Sequence, residues 1–208
     1  MENLTDLSTF SALMAAITLS AASGLRVFLP ALGLGLATRL GWIDVGEDFA
    51  WLASDPVLLI LGLAALLETG SYYIPWVDNL LDIVATPAAM AGGTVIVSAL
   101  LPEMNDVAQW STALALGGGS AGIVQGSTVL VRGASTASSG GLANPLVSTG
   151  ETAGSIVLII LALVVPILVG LLVLIALAWL VVKVVRWLRA GRQPVQATAP
   201  NPDPTVRD

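Results

Sequence analysis

Apolar residues occupy five long blocks of the chain, Thr9–Leu40, Pro56–Tyr73, Asp78–Leu101, Val107–Ala134 and Glu151–Leu188, with short polar stretches between them. A helix needs roughly 20 residues to cross a bilayer, so blocks of this length predict transmembrane helices. Blocks two and three have normal spanning length, and Ile74-Pro75-Trp76 between them predicts a tight turn with Tyr72, Tyr73 and Trp76 at the membrane interface. They are expected to form an antiparallel hairpin. Block one would be about 48 Å long as a continuous helix, too long for a simple crossing, and it is interrupted by "SGLRVFLP". Two shorter pieces meeting near Gly24 to Arg26 fit better. Block four, glycine-dense through "GGGSAGIVQGSTVLVRGAS", predicts the same kind of broken centre. Block five has Pro166 and Gly170 but no polar residue to make a turn, so one long, tilted and kinked helix is expected, its end projecting into the cytoplasm. "GASTASSGG" at 133–141 reads as a flexible loop, and residues 190–208 as a disordered cytoplasmic tail after a transmembrane domain at 1–189.

Small residues recur every four positions at Ala16, Ser20 and Gly24 in block one and at Gly118, Gly122 and Gly126 in block four. That spacing makes grooves for close helix packing and a route to homo-oligomerisation through small-residue faces. Asx-Pro pairs, Asp55-Pro56 and Asn144-Pro145, follow each block and suit the start of a new helix. The pattern suggests two inverted repeats, residues 9–101 and 107–188, each a broken or re-entrant helical hairpin plus spanning helices. The fold class is an all-α polytopic bundle of five to seven helical segments.

Composition agrees: 56% of the 208 residues are hydrophobic, 11% are charged, and the mean hydropathy is +0.89. There is no Cys and no His, which excludes disulfides, thiolate metal sites, haem ligation and imidazole chemistry. No cofactor, metal or nucleic-acid partner is expected, and no phosphate loop, HExxH, GxSxG or GxGxxG in a strand-turn-helix context points to an enzyme. The start, "MENLTDLSTF", lacks a basic n-region, so the first apolar segment is expected to remain in the mature chain.

The net charge of −6 is unevenly spread. Lys183, Arg186, Arg189 and Arg192 follow the last apolar run, whereas Asp44, Glu47, Asp48 and Asp55 lie between blocks one and two. Positive charge near helix ends stays inside, so a multi-pass protein of the plasma membrane with a cytoplasmic C-terminus is expected. Single crossings by blocks one and four would put the acidic loop inside as well. Hairpins that return to their own side would put that loop and the Glu103/Asp106 loop outside, which suits the charges better.

The carboxylates inside apolar blocks are the best functional clue, because a charge in hydrocarbon persists only when paired, protonated or wetted. Glu68 lies seven residues before Pro75 and Asp82 seven after it, so both are expected about 10 Å from the turn, sharing a proton across the hairpin. Asp78 falls on the same face as Asp82 and also suits an N-cap, while Asp82 also suits the first helical turn. Arg26 at the break of block one could reach this depth as a partner of Glu68. Gln125, Arg132, Asn144, Ser148 and Glu151 make a second polar set, in which Asn144 and Glu151 most simply cap the last helix. The candidate substrate- or ion-binding residues are Glu68, Asp82, Asp78, Arg26, Ser20, Gln125, Glu151 and Asn144.

On "LSAASGLRVFLPAL", "LLETGSYYIPWVDNLLDIVATPA" and "GLANPLVSTGE", the chain resembles a bacterial multi-pass membrane family catalogued as a domain of unknown function. The resemblance runs over residues 10–189. Its motifs fall on Ser20, Gly24 and Arg26, on Glu68, Pro75, Asp78 and Asp82, and on Asn144, Pro145, Ser148 and Glu151. The "TGSYY" after Glu68 departs from the more polar segment the family implies, which removes a basic residue that could screen the acids. The resemblance implies location and architecture and supplies no mechanism.

Three functions fit these residues. One is a transporter or channel-like permease for a small solute or ion, with the carboxylates as a proton- or cation-coupled site. Another is a lipid scramblase or flippase in which Arg26 meets an anionic headgroup. The third is a membrane scaffold or assembly factor whose small-residue grooves bind partner helices.

Overall fold

The computed structural model describes residues 2–72, 75–102 and 104–190, with side chains described for 8–72, 83–102, 104–186 and 189. Every regular element among them is helical: α1 (Glu2–Ser23), α2 (Phe28–Arg39), a 3-10 turn (Glu47–Ala53), α3 (Asp55–Ser71), α4 (Pro75–Leu100), α5 (Asp106–Ala113), a π segment (Leu114–Gly118), α6 (Gly119–Ser139), α7 (Asn144–Val164) and α8 (Pro166–Ala190). Four stretches are long and apolar enough to span a membrane, Ile83–Leu100, Asp106–Ser139, Asn144–Val164 and Pro166–Arg186. A fifth is added if the 3-10 turn and α3, bent by 61°, count together.

Block one breaks where expected. The last α1 carbonyls, Ala21 and Ala22, accept from Gly24, Leu25 and Arg26, closing the helix in a tight turn. A Cβ on Gly24 would fall 2.6 Å from the Val124 Cβ, so only glycine lets the turn approach α6 this closely. From there α2 runs back: Gly33 meets Ile159, and Trp42–Gly46 come to line a cavity with Ser8 to Ala15 and Leu100 to Pro102. The chain enters and leaves this hairpin at one end of the bundle.

Block four is not broken, contrary to expectation. Asp106–Ser139 runs as one helical stretch, and residues 133–139, expected as a loop, are its last turns before Gly140 and Gly141 at positive φ. Its glycines serve close approach. A Cβ on Gly93 of α4 would lie 2.8 Å from the Gly117 oxygen and 2.5 Å from Ser20 Oγ, so α1, α4 and the π segment cross nearly backbone to backbone. Ser20 Oγ donates to Gly117 O, a carbonyl of the π segment, at 2.6 Å. Of the four-spaced stripe, Gly118 and Gly122 pack on Met90, whereas Gly126 has nothing within 4 Å.

Block five is two helices. Val165, at φ −137° and ψ 57°, ends α7, and Pro166 starts α8 at the position where its missing N–H costs nothing. Near the turn Ala162 and Pro166 line the cavity with Ser8 to Ala15, and Gly170 packs on Met14. Farther along, Val181, Val184 and Val185 face Gly122, Gly126 and Leu130 of α6. The helix therefore folds back instead of continuing.

These two departures offset each other in the count of crossings. The acidic segment 44–55, the 101–106 connection and Val165 share one end of the bundle; the α1–α2 break, Tyr72, the 140–143 turn and the end of α8 share the other. Along the chain, α3 and α4 run in opposite directions as expected, yet α3 packs on α2 while α4 packs on α1, the π segment and α6. The core accordingly lies around Leu19, Ile96, Val97 and Ala113, and α3 is a peripheral helix.

Candidate functional site

The break between α1 and α2 exposes backbone N–H groups that no helical carbonyl can reach. Glu68, from α3, takes two of them: its Oε1 accepts from Val27 N at 2.7 Å and its Oε2 from Phe28 N at 3.2 Å. A carboxylate at a helix N-terminus is favoured by the aligned peptide dipoles as well as by the hydrogen bonds. Glu68 thus answers to backbone, and the expected ion pair with Arg26 is not formed.

Arg26, in the break itself, is 1% exposed. Its Nε donates to Thr152 Oγ1 at 2.8 Å, and its Nη2 donates to Ser148 O at 2.7 Å and to Ser148 Oγ at 2.5 Å. The Nη1 lies 3.5 Å from Glu151 Oε2 and has no hydrogen-bond acceptor among the described residues. Glu151 is held by a second arginine: Arg132 Nε donates to Oε1 at 3.1 Å and Arg132 Nη2 donates to Oε2. Both guanidiniums pack on the Tyr72 ring, Arg26 at 4.4 Å and Arg132 at 3.9 Å from its centre. Tyr72, expected as an interface anchor, is buried between charges.

Among the described residues these four charges sum to zero, which helps the bundle tolerate them. Isolated, any one would cost several kcal/mol; paired and hydrogen-bonded, the set approaches neutrality. α7 presents Ser148, Glu151, Thr152 and Ser155 on one face by its three-to-four spacing, with Ser155 donating to Ala22 O at 3.3 Å. Glu151 and Asn144 do not cap α7, as they were expected to. The capping residue is Ala143, and Asn144 Nδ2 instead donates to Thr136 Oγ1 on α6 at 3.1 Å. Asp55 is likewise no cap; it pairs with Arg39 at the exposed end.

Arg26, Glu68 and Glu151 are thus brought together, joined by Arg132 and Tyr72. Ser20 lies deeper, in a separate pair in which Ser120 Oγ donates to it at 2.9 Å, and Gln125 is buried on α6 near Gly24. The expected convergence of Glu68 on Asp78 and Asp82 has no packed α3–α4 face to support it among the described residues. The side chains of Asp78 and Asp82, with Tyr73, Trp76, Glu103 and the 191–208 tail, lie outside the described residues. By backbone alone, α4 starts at Pro75, so Asp78 is inside the helix and not its N-cap, and Asp82 is about two turns in.

Two cavities flank the network. One, about 530 Å³, lies between α4 and α6 and is lined by Ile83, Thr86, Val129, Arg132 and Thr136. The other, about 570 Å³, is an apolar groove along α2, α3 and α7 that reaches Thr69 and Thr152. A third, about 460 Å³, opens at the acidic end beside Asp44 and is separated from the charges by the Ser20–Gly117 crossing. Among the described residues no group of His, Cys, Asp and Glu could hold a metal ion.

No curated protein and no solved structure matches the chain. The family model for a domain of unknown function, DUF4126, matches residues 13–187, most of the bundle described above, and the chain belongs to that family.

Proposed function

We propose that the protein is a small membrane permease whose substrate or coupling site is the Arg26–Glu68–Arg132–Glu151 network. One observation carries this reading: two charges of each sign are buried together where a helix hairpin is interrupted inside a membrane-spanning bundle. Intramembrane ionisable groups beside a broken helix are the recurrent ingredients of transport sites. In this reading the α1–α2 hairpin is re-entrant, since α2 has only 12 residues, about 18 Å, against a hydrocarbon thickness near 30 Å. Glu68 keeps the tip of the hairpin closed. The Ser20–Gly117–Gly93 crossing bars the way from the cavity at the acidic end.

The basic end of α8, with exposed Lys183 and Arg186, faces the cytoplasm of a plasma membrane by the positive-inside rule, and the acidic loops face outward. Purified protein in phosphatidylcholine vesicles should then carry ion or proton flux, reported by a trapped pH dye under imposed salt gradients. Arg132→Gln should abolish it. Folded protein that moves no ion under any gradient would rule out the permease.

A second reading, lipid translocation, is favoured by the apolar groove on α3 and α7, because Thr152 at its polar end is hydrogen-bonded to Arg26. Dithionite quenching of fluorescent lipid in the same vesicles separates the two: rapid loss of inner-leaflet fluorescence with no ion flux would favour lipid movement.

A further inference from the structure

We propose that α3 is a side gate to the buried network, hinged at Ser54 and latched near its other end by Glu68. This rests on the permease reading and names the part that opens. α3 is lightly attached. Of its 17 residues only Ala65 and Glu68 are buried, while Leu59, Ile60, Leu63, Leu66 and Leu67 are each more than half exposed. Among the described residues it packs mainly on α2 and the 3-10 turn, and the groove of about 570 Å³ runs between it and α7. In a bilayer those leucines lose little by moving, because lipid tails are as apolar as the helices they would leave. Polar contacts therefore decide whether α3 stays seated.

The hinge is a single extended residue. Ser54, at φ −73° and ψ 147°, joins the 3-10 turn to α3 at a bend of 61°. Its hydroxyl donates to Trp51 O at 2.7 Å, on the side of the turn, and no side chain caps α3. The close approach to α2 is at this end, where a Cβ on Gly35 would lie 2.5 Å from Leu52 O and 2.8 Å from Leu58 Cδ2. α4, which follows α3 in the chain, contains Pro87. That residue has no N–H for the helical ladder and gives the first turns of α4 a place to bend with α3.

The latch is at the opposite end. Glu68 accepts from Val27 N and Phe28 N, and four residues on, the Tyr72 ring packs against Arg26 and Arg132. The groove reaches Thr69 and Thr152, and Thr152 Oγ1 accepts from Arg26 Nε, so one side chain separates the groove from the network. Releasing Glu68 lets the far end of α3 tilt away from α7. Arg26, Ser148 and Thr152 then face the opening.

The test is a set of distances measured by pulsed electron spin resonance between nitroxide labels on introduced cysteines, with the full chain in phosphatidylcholine vesicles. Labels at the exposed positions Leu67 and Leu146 report the far end of α3 against α7, labels at Leu59 and Leu146 report its hinge end, and labels at Leu130 and Leu146 report α6 against α7. Glu68→Ala removes hydrogen bonds to a charged group, so the ratio of a longer to the seated Leu67–Leu146 distance should rise about tenfold or more. The Leu59–Leu146 distance should shift less, and Leu130–Leu146 should stay fixed. If Glu68→Ala does not fold, Glu68→Gln, which keeps one acceptor, carries the same comparison with a smaller rise. An unchanged Leu67–Leu146 distribution, or equal broadening of all three pairs, overturns the gate. Flux in the same vesicles keeps the two readings apart: flux with a fixed α3 means that the gate is wrong and the permease stands, whereas a moving α3 without flux supports the gate and contradicts the permease.

Discussion

Glu68 on α3 accepts the backbone N–H of Val27 at 2.7 Å, so the carboxylate of one helix caps the start of another across the bundle. Removing it strands one buried and one partly buried donor. Glu68→Ala should lower stability by about 1.5–3 kcal/mol, measured by thermal unfolding in detergent, and Glu68→Gln, which keeps one acceptor, by less. Arg26→Ala combined with Glu68→Gln should be worse than either change alone. Recovery in that double variant would mean that the two residues are an ion pair after all.

The pair that should show recovery is Arg132 with Glu151. Breaking a buried pair from one side costs about 3–5 kcal/mol, because the other charge stays behind. Arg132→Met and Glu151→Leu should each fall in that range, and the double variant should regain much of the loss. Purely additive losses in the cycle would show that the two side chains act independently.

The residues themselves show how far sequence reasoning reaches here. The break at Gly24–Arg26 was legible because proline, glycine and arginine interrupt a run too long for one crossing, and Glu68 stood out because a carboxylate in an apolar helix needs a reason. What Glu68 binds was not legible: its partners are backbone groups about 40 residues away, which carry no side-chain signal. Likewise Arg132 and Glu151 meet only because α6 and α7 are antiparallel. The glycines of block four read as a break, yet the fold uses them for close approach to α4 and absorbs the irregularity in a π turn. Pro166 was the one sign that block five is two helices, as a first helical residue; the turn needed no polar residue because Ala162 and Pro166 pack against α1.

Close approach makes a sharp contrast between two glycines of that helix. A Cβ on Gly117 would run into the Gly93 carbonyl, whereas one on Gly126 meets nothing within 4 Å. Gly117→Ala should destabilise by about 1–3 kcal/mol. Gly126→Ala should be neutral or slightly stabilising, since alanine is the better helix former. Equal effects in thermal unfolding would contradict the crossing.

The shared ends of the helices predict a labelling pattern, and a chain without cysteine is ready for it. Asp48→Cys and Asp106→Cys should react with an impermeant thiol reagent from the same side of the membrane. Ser138→Cys and Arg189→Cys should react from the opposite side. Labelling of Ser138→Cys and Asp48→Cys from one side would require block four to turn back on itself.

The account rests on the buried network opening to water. Ser148, 1% exposed, donates no surface to solvent in the closed bundle and accepts from Arg26 at 2.5 Å, so a cysteine there reports on the site itself. In right-side-out and inverted vesicles, Ser148→Cys should react slowly with an impermeant thiol reagent from each side, with exposed cysteines at 48 and 138 as controls. No reaction from either side, while both controls label fully, would make the four charges a closed structural element and contradict the permease.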